Sequence, residues 1–134
     1  MKLHISLKVS DLEKSRAFYS QLFGMDPTIE REDYVKWDVQ DPSVNFVIEP
    51  GESAHGLDHL GIQVASDEEL NSLSERMRES GQPFLDIEKT TCCYAKMEKS
   101  WVKGPNEEKW EAFITHSHDA EEYGEDREHL LASM

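Results

Sequence analysis

The sequence predicts an α+β domain built from two tandem β-α-β-β-β modules, and three observations predict it. First, an alternating strand pattern recurs 55 residues downstream: Lys2-Leu3-His4-Ile5-Ser6-Leu7-Lys8-Val9 is matched by Leu57-Asp58-His59-Leu60-Gly61-Ile62-Gln63-Val64. Second, a capping-box pattern follows each copy, Ser10-Asp11-Leu12-Glu13 and Ser66-Asp67-Glu68-Glu69, and opens a helical period. Third, each helix gives way to alternating or apolar runs bounded by turn residues. An internal repeat constrains a fold more than any single helix or strand does. Module 1 spans about residues 1–50 and module 2 about 57–115, leaving 116–134 as an acidic C-terminal tail.

In the first module Leu3, Ile5, Leu7 and Val9 share one face of a half-buried strand, and His4, Ser6 and Lys8 share the other. The helix opened by Ser10 presents Leu12, Tyr19, Leu22 and Phe23 to the core, and Gly24 ends it. Val35, Trp37 and Val39 alternate in a strand around 33–39. Asp41-Pro42-Ser43 turns the chain, and 44–49 form the next strand. Pro50-Gly51 opens a linker to about Gly56. In the second module Leu70, Leu73 and Met77 mark a helix face that Gly81 closes. Strands are expected near 83–89, 94–102 and 109–115, with Gly104-Pro105-Asn106 as a turn.

The chain has 134 residues, enough for one domain with a real core. Its net charge is −14, from 28 acidic and 14 basic residues. So acidic a surface repels phosphate backbones and anionic lipid, which argues against nucleic-acid and membrane partners. No apolar run reaches membrane-spanning length, and the alternating N-terminus lacks the apolar stretch of a secretory signal. Two adjacent thiols without a disulfide framework fit a reducing cytosol, so a cytoplasmic location is expected.

Two groups of residues carry chemistry. His4 and His59 hold the same position in the two repeats, opposite their strands' aliphatic faces. In the last strand Glu111 shares a face with Phe113, away from Trp110, Ala112 and Ile114. Two imidazoles and one carboxylate on a common cavity make a facial triad with open coordination positions, a set suited to non-haem Fe(II) and O₂. The first-module counterpart of Glu111 reads as Phe46 or Ile48, neither of which can ligate. The second group is Cys92-Cys93, the only cysteines. An ordinary disulfide wants its Cα atoms well apart, so neighbours make a poor staple. They read instead as two soft ligands for one thiophilic atom. Successive side chains on a regular strand point to opposite faces, so both sulfurs reach one atom only from a loop or a bent strand end.

Paired modules with metal ligands at the start of each resemble the vicinal oxygen chelate superfamily of glyoxalases, extradiol dioxygenases and bleomycin or fosfomycin resistance proteins. The resemblance covers roughly residues 1–115. Within it, Thr90-Thr91-Cys92-Cys93-Tyr94-Ala95, with Lys99, Trp101, Pro105 and Trp110-Glu111-Ala112-Phe113, looks like the organoarsenical C–As lyases and the related cadmium-induced proteins. The resemblance implies a curved mixed sheet or barrel around a metal site. It implies Fe(II), or another divalent metal, on His4, His59 and Glu111, with O₂ as co-substrate. It implies a trivalent arsenical such as methylarsonous acid held by Cys92 and Cys93 and cleaved to arsenite. Tyr94 and Lys99 would support loop closure or the thiolates. The protein would be a monomer or a homodimer, its modules paired in one chain or swapped between two. Some relatives have glutamine at the position of His4, and many carry tail cysteines that this chain lacks.

Three other functions remain open from the sequence: a glyoxalase-like divalent-metal isomerase, a protein that sequesters cadmium, arsenic or a drug, and a thiol-adding resistance transferase. The tail reads as solvated and partly mobile. Glu128 to Leu131 could close a short helix there, and His116, His118 and His129 are a minor metal-binding option.

Overall fold

A computed structural model of the chain describes residues 1–53, 55–92, 95–117 and 127–134, with the backbone alone at Cys92, Ser117 and Ser133. The elements are β1 (Lys2–Val9), α1 (Leu12–Phe23), β2 (Ile29–Arg31), β3 (Tyr34–Gln40), β4 (Ser43–Pro50), β5 (Gly56–Gln63), α2 (Asp67–Glu79), β6 (Phe84–Cys92), β7 (Ala95–Lys103), β8 (Lys109–Ser117) and a 3₁₀ helix, Arg127–Ser133. The order is β-α-β-β-β twice, the α+β arrangement the repeat predicts. The strand missing from the sequence reading is β2, whose three residues are too few to show a period. The chain packs as two compact units, Lys2–Leu60 and Gly61–Met134, that divide inside β5. His59 therefore packs with the first unit although its repeat begins the second module.

In the first unit the strands lie in the order β2-β3-β4-β1-β5. β1 runs parallel to β4, while β3 runs antiparallel to both β4 and β2, so the sheet is mixed. The register places His4, Asn45 and Asp38 side by side across three strands, then Ser6, Val47 and Lys36, and pairs Lys8 with Glu49. The opposite face carries Val35, Trp37, Val39, Val44, Phe46 and Ile48, on which Leu12, Tyr19 and Phe23 of α1 pack. The Tyr19 and Phe23 rings lie 4.6 and 5.1 Å from that of Phe46. Each such ring contributes about 1.5–3 kcal/mol by leaving water.

Two details of α1 differ from expectation. Its N-cap is Asp11, not Ser10: the Asp11 carboxylate accepts a 3.0 Å bond from Lys14 N. Leu22 is 61% exposed rather than buried. At about 100° per residue, Leu12, Tyr19 and Phe23 fall within about 20° of one line, and Leu22 lies about 80° away. Gly24 ends the helix in the left-handed region at φ 66°, as predicted. In β1 the polar face is the better covered: His4 is 6% exposed and Leu3, outside the α1 cluster, 43%.

In the second unit Ser66 caps α2, accepting from Glu69 N, while the Glu69 carboxylate accepts from Ala65 N. The box forms, with its return bond one residue upstream of the usual place. Leu70, Leu73 and Met77 pack with Val64, Ile87, Ala112 and Ile114. Strands β6, β7 and β8 form an antiparallel meander, with register irregularities between Leu85 and Glu88 and between Lys96 and Met97. The turn after Gly104 closes through Gly104 N to Glu108 O, 2.7 Å, and Glu107 N to Gly104 O, 3.0 Å. The C-terminal 3₁₀ helix docks on the strands instead of lying free. Leu131 is fully buried, and the Arg127 guanidinium donates to the carbonyls of Asp86 and Lys99. Among the described residues no helix is long and apolar enough to cross a membrane.

Candidate functional site

His4 sits mid-strand on β1, level with Asn45 of the parallel neighbour β4. Its Nδ1 lies 3.0 Å from the Asn45 carbonyl oxygen. A carbonyl only accepts, so Nδ1 carries a proton, and in the neutral ring Nε2 presents its lone pair. His59 is held in the same way: its Nδ1 lies 2.8 Å from a carboxylate oxygen of Asp58. The two Nε2 atoms then face each other at 3.1 Å, with ring centroids 5.1 Å apart. Two lone pairs at that distance repel unless a proton or a metal ion lies between them. Ligands about 2.0–2.1 Å from one metal ion, at right angles, stand about 3.0 Å apart. Metal-bound histidines characteristically give their other N–H to a carboxylate or a carbonyl, which is the arrangement of both rings. The pair fits a divalent metal.

The sequence identifies both histidines but not their anchors. Asp58 precedes His59 in an alternating strand, where a neighbour is expected to point away. The Asn45 carbonyl is backbone and leaves no sequence signal. The register also corrects the counterpart assigned to Glu111. Phe46 and Ile48 lie in the helix-side core, while the His4 face of β4 carries Asn45, Val47 and Glu49. Glu49 is four residues along the strand from Asn45, about 13 Å, and its carboxylate lies 3.8 Å from Lys8 Nζ.

In the second unit Glu111 is buried on β8 beside Phe113, on the face opposite Ala112 and Ile114, as its strand pattern predicts. Lys99 donates from Nζ to Glu111 Oε2 at 2.8 Å, and both side chains are 3% exposed. The ammonium also lies 5.5 Å from the Trp101 ring and 5.9 Å from that of Phe113. Lys99 is thus a strand residue that holds Glu111, a role its sequence position does not reveal. Cys92 is the last residue of β6 and pairs with Ala95 at the head of β7. Cys93 and Tyr94 lie between them, outside the described residues, as does His118. On the first unit's polar face, burial lowers the pKa of Lys36 from its ordinary 10.5, against an opposing pull from Asp38.

Comparison with known proteins adds three findings. The family profile of the Glyoxalase/Bleomycin resistance protein/Dioxygenase superfamily matches residues 3–112. Proteins named trivalent organoarsenical cleaving enzyme are similar in sequence: that of Thermomonospora curvata is 37% identical over 84% of this chain and 76% of its own, and that of Bacillus sp. strain MD1 40% identical over 84% and 71%. The cadmium-induced protein CadI of Mycobacterium bovis is 35% identical over 96% of this chain and 84% of its own. Among solved structures, a superfamily member from Vibrio splendidus 12B01 superposes with a TM-score of 0.59 at 19% identity, covering 86% of this chain and 98% of that one. Homoprotocatechuate 2,3-dioxygenase of Brevibacterium fuscum superposes at 0.66 and 21%, over 95% of this chain and 34% of that one. These two structures speak to the fold alone.

Proposed function

The chain belongs to the Glyoxalase/Bleomycin resistance protein/Dioxygenase superfamily, and from that premise we propose that it is an enzyme that cleaves the carbon–arsenic bond of trivalent organoarsenicals. Methylarsonous acid is the simplest such substrate, and arsenite the product. The observation that carries the proposal is the opposed Nε2 pair of His4 and His59, each fixed through Nδ1. It supports a metal-dependent reaction in a chain similar to two organoarsenical-cleaving enzymes.

His4, His59 and Glu111 would hold the divalent metal, Fe(II) in this reading, with Glu111 assigned from its strand pattern and the family resemblance. Bound there, Fe(II) supplies the activation of O₂. The residues of the chain do the rest. Asn45 and Asp58 lock both imidazoles with Nε2 unprotonated. Lys99 holds and orients Glu111. Cys92 and Cys93 exchange for the two hydroxyls of methylarsonous acid, releasing two waters, and fix the carbon–arsenic bond in place. Methylarsonous acid and one O₂ together contain the atoms of arsenous acid and formaldehyde, so the reaction needs no other oxidant. The substrate carries no negative charge at neutral pH, so a surface of net charge −14 does not exclude it.

The test is aerobic incubation with Fe(II) and trivalent methylarsenical, followed by arsenic speciation. Inorganic arsenite is expected, and none without O₂. Cys92→Ser or Cys93→Ser should abolish arsenical binding and spare metal binding, and His59→Ala should do the reverse. Full-rate demethylation by the cysteine variants would overturn the clamp. A second reading is sequestration of a soft cation or arsenical without turnover, kept in view by a relative whose name records induction by cadmium and whose similarity spans 96% of the chain. Unchanged methylarsenical after exhaustive incubation would select it.

A further inference from the structure

We propose that Asp67, Glu98 and His116 form a second cation site, wholly within the second unit, for a borderline divalent ion of the zinc class. One ligand atom from each of the three lies within 4.8 Å of the others. They come from three elements: Asp67 is the first residue of α2, Glu98 lies on β7 and His116 on β8. His116 Nε2 stands 2.7 Å from Glu98 Oε2.

Strand register explains how His116 reaches that place. Along β7 and β8, Lys96 pairs with Ser117 but Met97 pairs with Thr115, so His116 is an extra residue with no partner position on β7. A bulge of this kind re-aims one side chain and sharpens the local twist. The imidazole it redirects meets two carboxylates. Even when protonated, one imidazole balances only one of them. Two carboxylate oxygens this close repel, and a divalent cation between them removes the repulsion. One imidazole and two carboxylates, with no thiolate, suit zinc, cobalt or nickel. Calcium and magnesium prefer oxygen alone.

There is room for further ligands or water. Glu98 and His116 line a cavity of about 530 Å³ together with Thr90, Thr91 and Met97. Lys89 and Lys96 border it too. Both are exposed, and their long stems can carry the ammonium groups into solvent. Thr90 and Thr91 lead directly into Cys92 at the end of β6. An ion at this site ties the start of α2 to the strand ends from which the cysteine segment departs.

The proposal is independent of the arsenical reading and is tested without activity. In a His59→Ala, Cys92→Ser, Cys93→Ser background, which breaks the His4–His59 pair and removes both thiols, calorimetric titration with Zn²⁺ should show one equivalent bound. Adding His116→Ala or Glu98→Gln should weaken that binding at least tenfold. Asp67→Asn should weaken it less, since the residue also faces the helix N-terminus. If the background binds no Zn²⁺, or binds it equally after His116→Ala, the site does not exist and Asp67 serves the helix alone. Should the triple background not fold, the wild type decides: the His116 imidazole resonances shift on addition of Zn²⁺, or stay in place and refute the site.

Discussion

Replacing Lys99 with methionine should destabilise the protein by about 3–5 kcal/mol, the usual cost of removing one partner of a buried ion pair. The figure follows from burial and distance. Lys99 Nζ and Glu111 Oε2 are 2.8 Å apart, and both side chains are 3% exposed. At an effective dielectric constant of about 20, the Coulomb attraction at that distance is about 6 kcal/mol. Most of it offsets the desolvation of the two groups, but the Lys99 variant keeps the desolvated carboxylate and loses the attraction. Methionine retains most of the stem that packs near Trp101 and Phe113, so loss of volume contributes little. In a chain of 134 residues the loss corresponds to about 11–18 °C in melting temperature. The assay is urea denaturation of the wild type, Lys99→Met, Glu111→Gln and the double variant, closed as a cycle. The double variant should lose at least 2 kcal/mol less than the singles added together, on the order of a strongly coupled pair. Single losses under about 1 kcal/mol, or additivity within about 0.5 kcal/mol, would show that the pair is not coupled as its geometry requires.

Removing the anchor of His59 by Asp58→Ala should lower divalent-metal affinity about 10–100-fold with stoichiometry unchanged, measured by competition with a chelator. Lys36→Met should alter the pH dependence of stability. Because burial lowers the Lys36 pKa in the folded state, the cost of its charge is fully present below that value and fades as pH rises through it toward 10.5. The advantage of the methionine variant is therefore greatest near neutrality and shrinks in alkali, and an advantage that grows with pH would refute it. Leu131→Ala should cost about 2–5 kcal/mol in denaturant, since the side chain is fully buried. A loss under about 0.5 kcal/mol would mean that the C-terminal turn does not hold.

The repeat made the fold legible. Alternation in Lys2–Val9 and its copy, two caps and a few turn residues sufficed for the order of elements, because each of those signals is local. What the sequence hid was set by partners distant along the chain. Leu22 looks like core until the line through Leu12, Tyr19 and Phe23 is drawn and found to miss it. Ser10 and Asp11 are equally good caps by residue type, and the structure uses Asp11, whose carboxylate accepts from Lys14 N. The C-terminal turn reads as tail because its acidic composition conceals one leucine and one arginine that find β6 and β7. At the site, His4, His59 and Glu111 were legible as residue types on strand faces. Lys99 was legible only as a cation, because its partner depends on the register of β7 against β8.

The histidine geometry follows from the topology of the first module. A β-α-β-β-β path returns its last strand beside its first and parallel to it, as β4 returns to β1. Parallel strands offer slanted, evenly spaced carbonyls to their neighbours, and the one level with His4 belongs to Asn45. That carbonyl fixes the tautomer of His4 without any side chain being selected for the purpose. His59 stands on β5, the neighbour of β1 on its other side, and takes its proton acceptor from Asp58, the adjacent residue. One anchor is therefore a property of the fold and the other of the sequence. Substituting Asn45 should disturb His4 only through packing, because its backbone carbonyl remains, whereas substituting Asp58 removes the acceptor itself. Asn45→Ala and Asp58→Ala thus separate the two kinds of anchor: near-wild-type metal affinity is expected for the first and a loss for the second. Equal losses would show that the Asn45 side chain, and not the parallel strand, holds His4 in place.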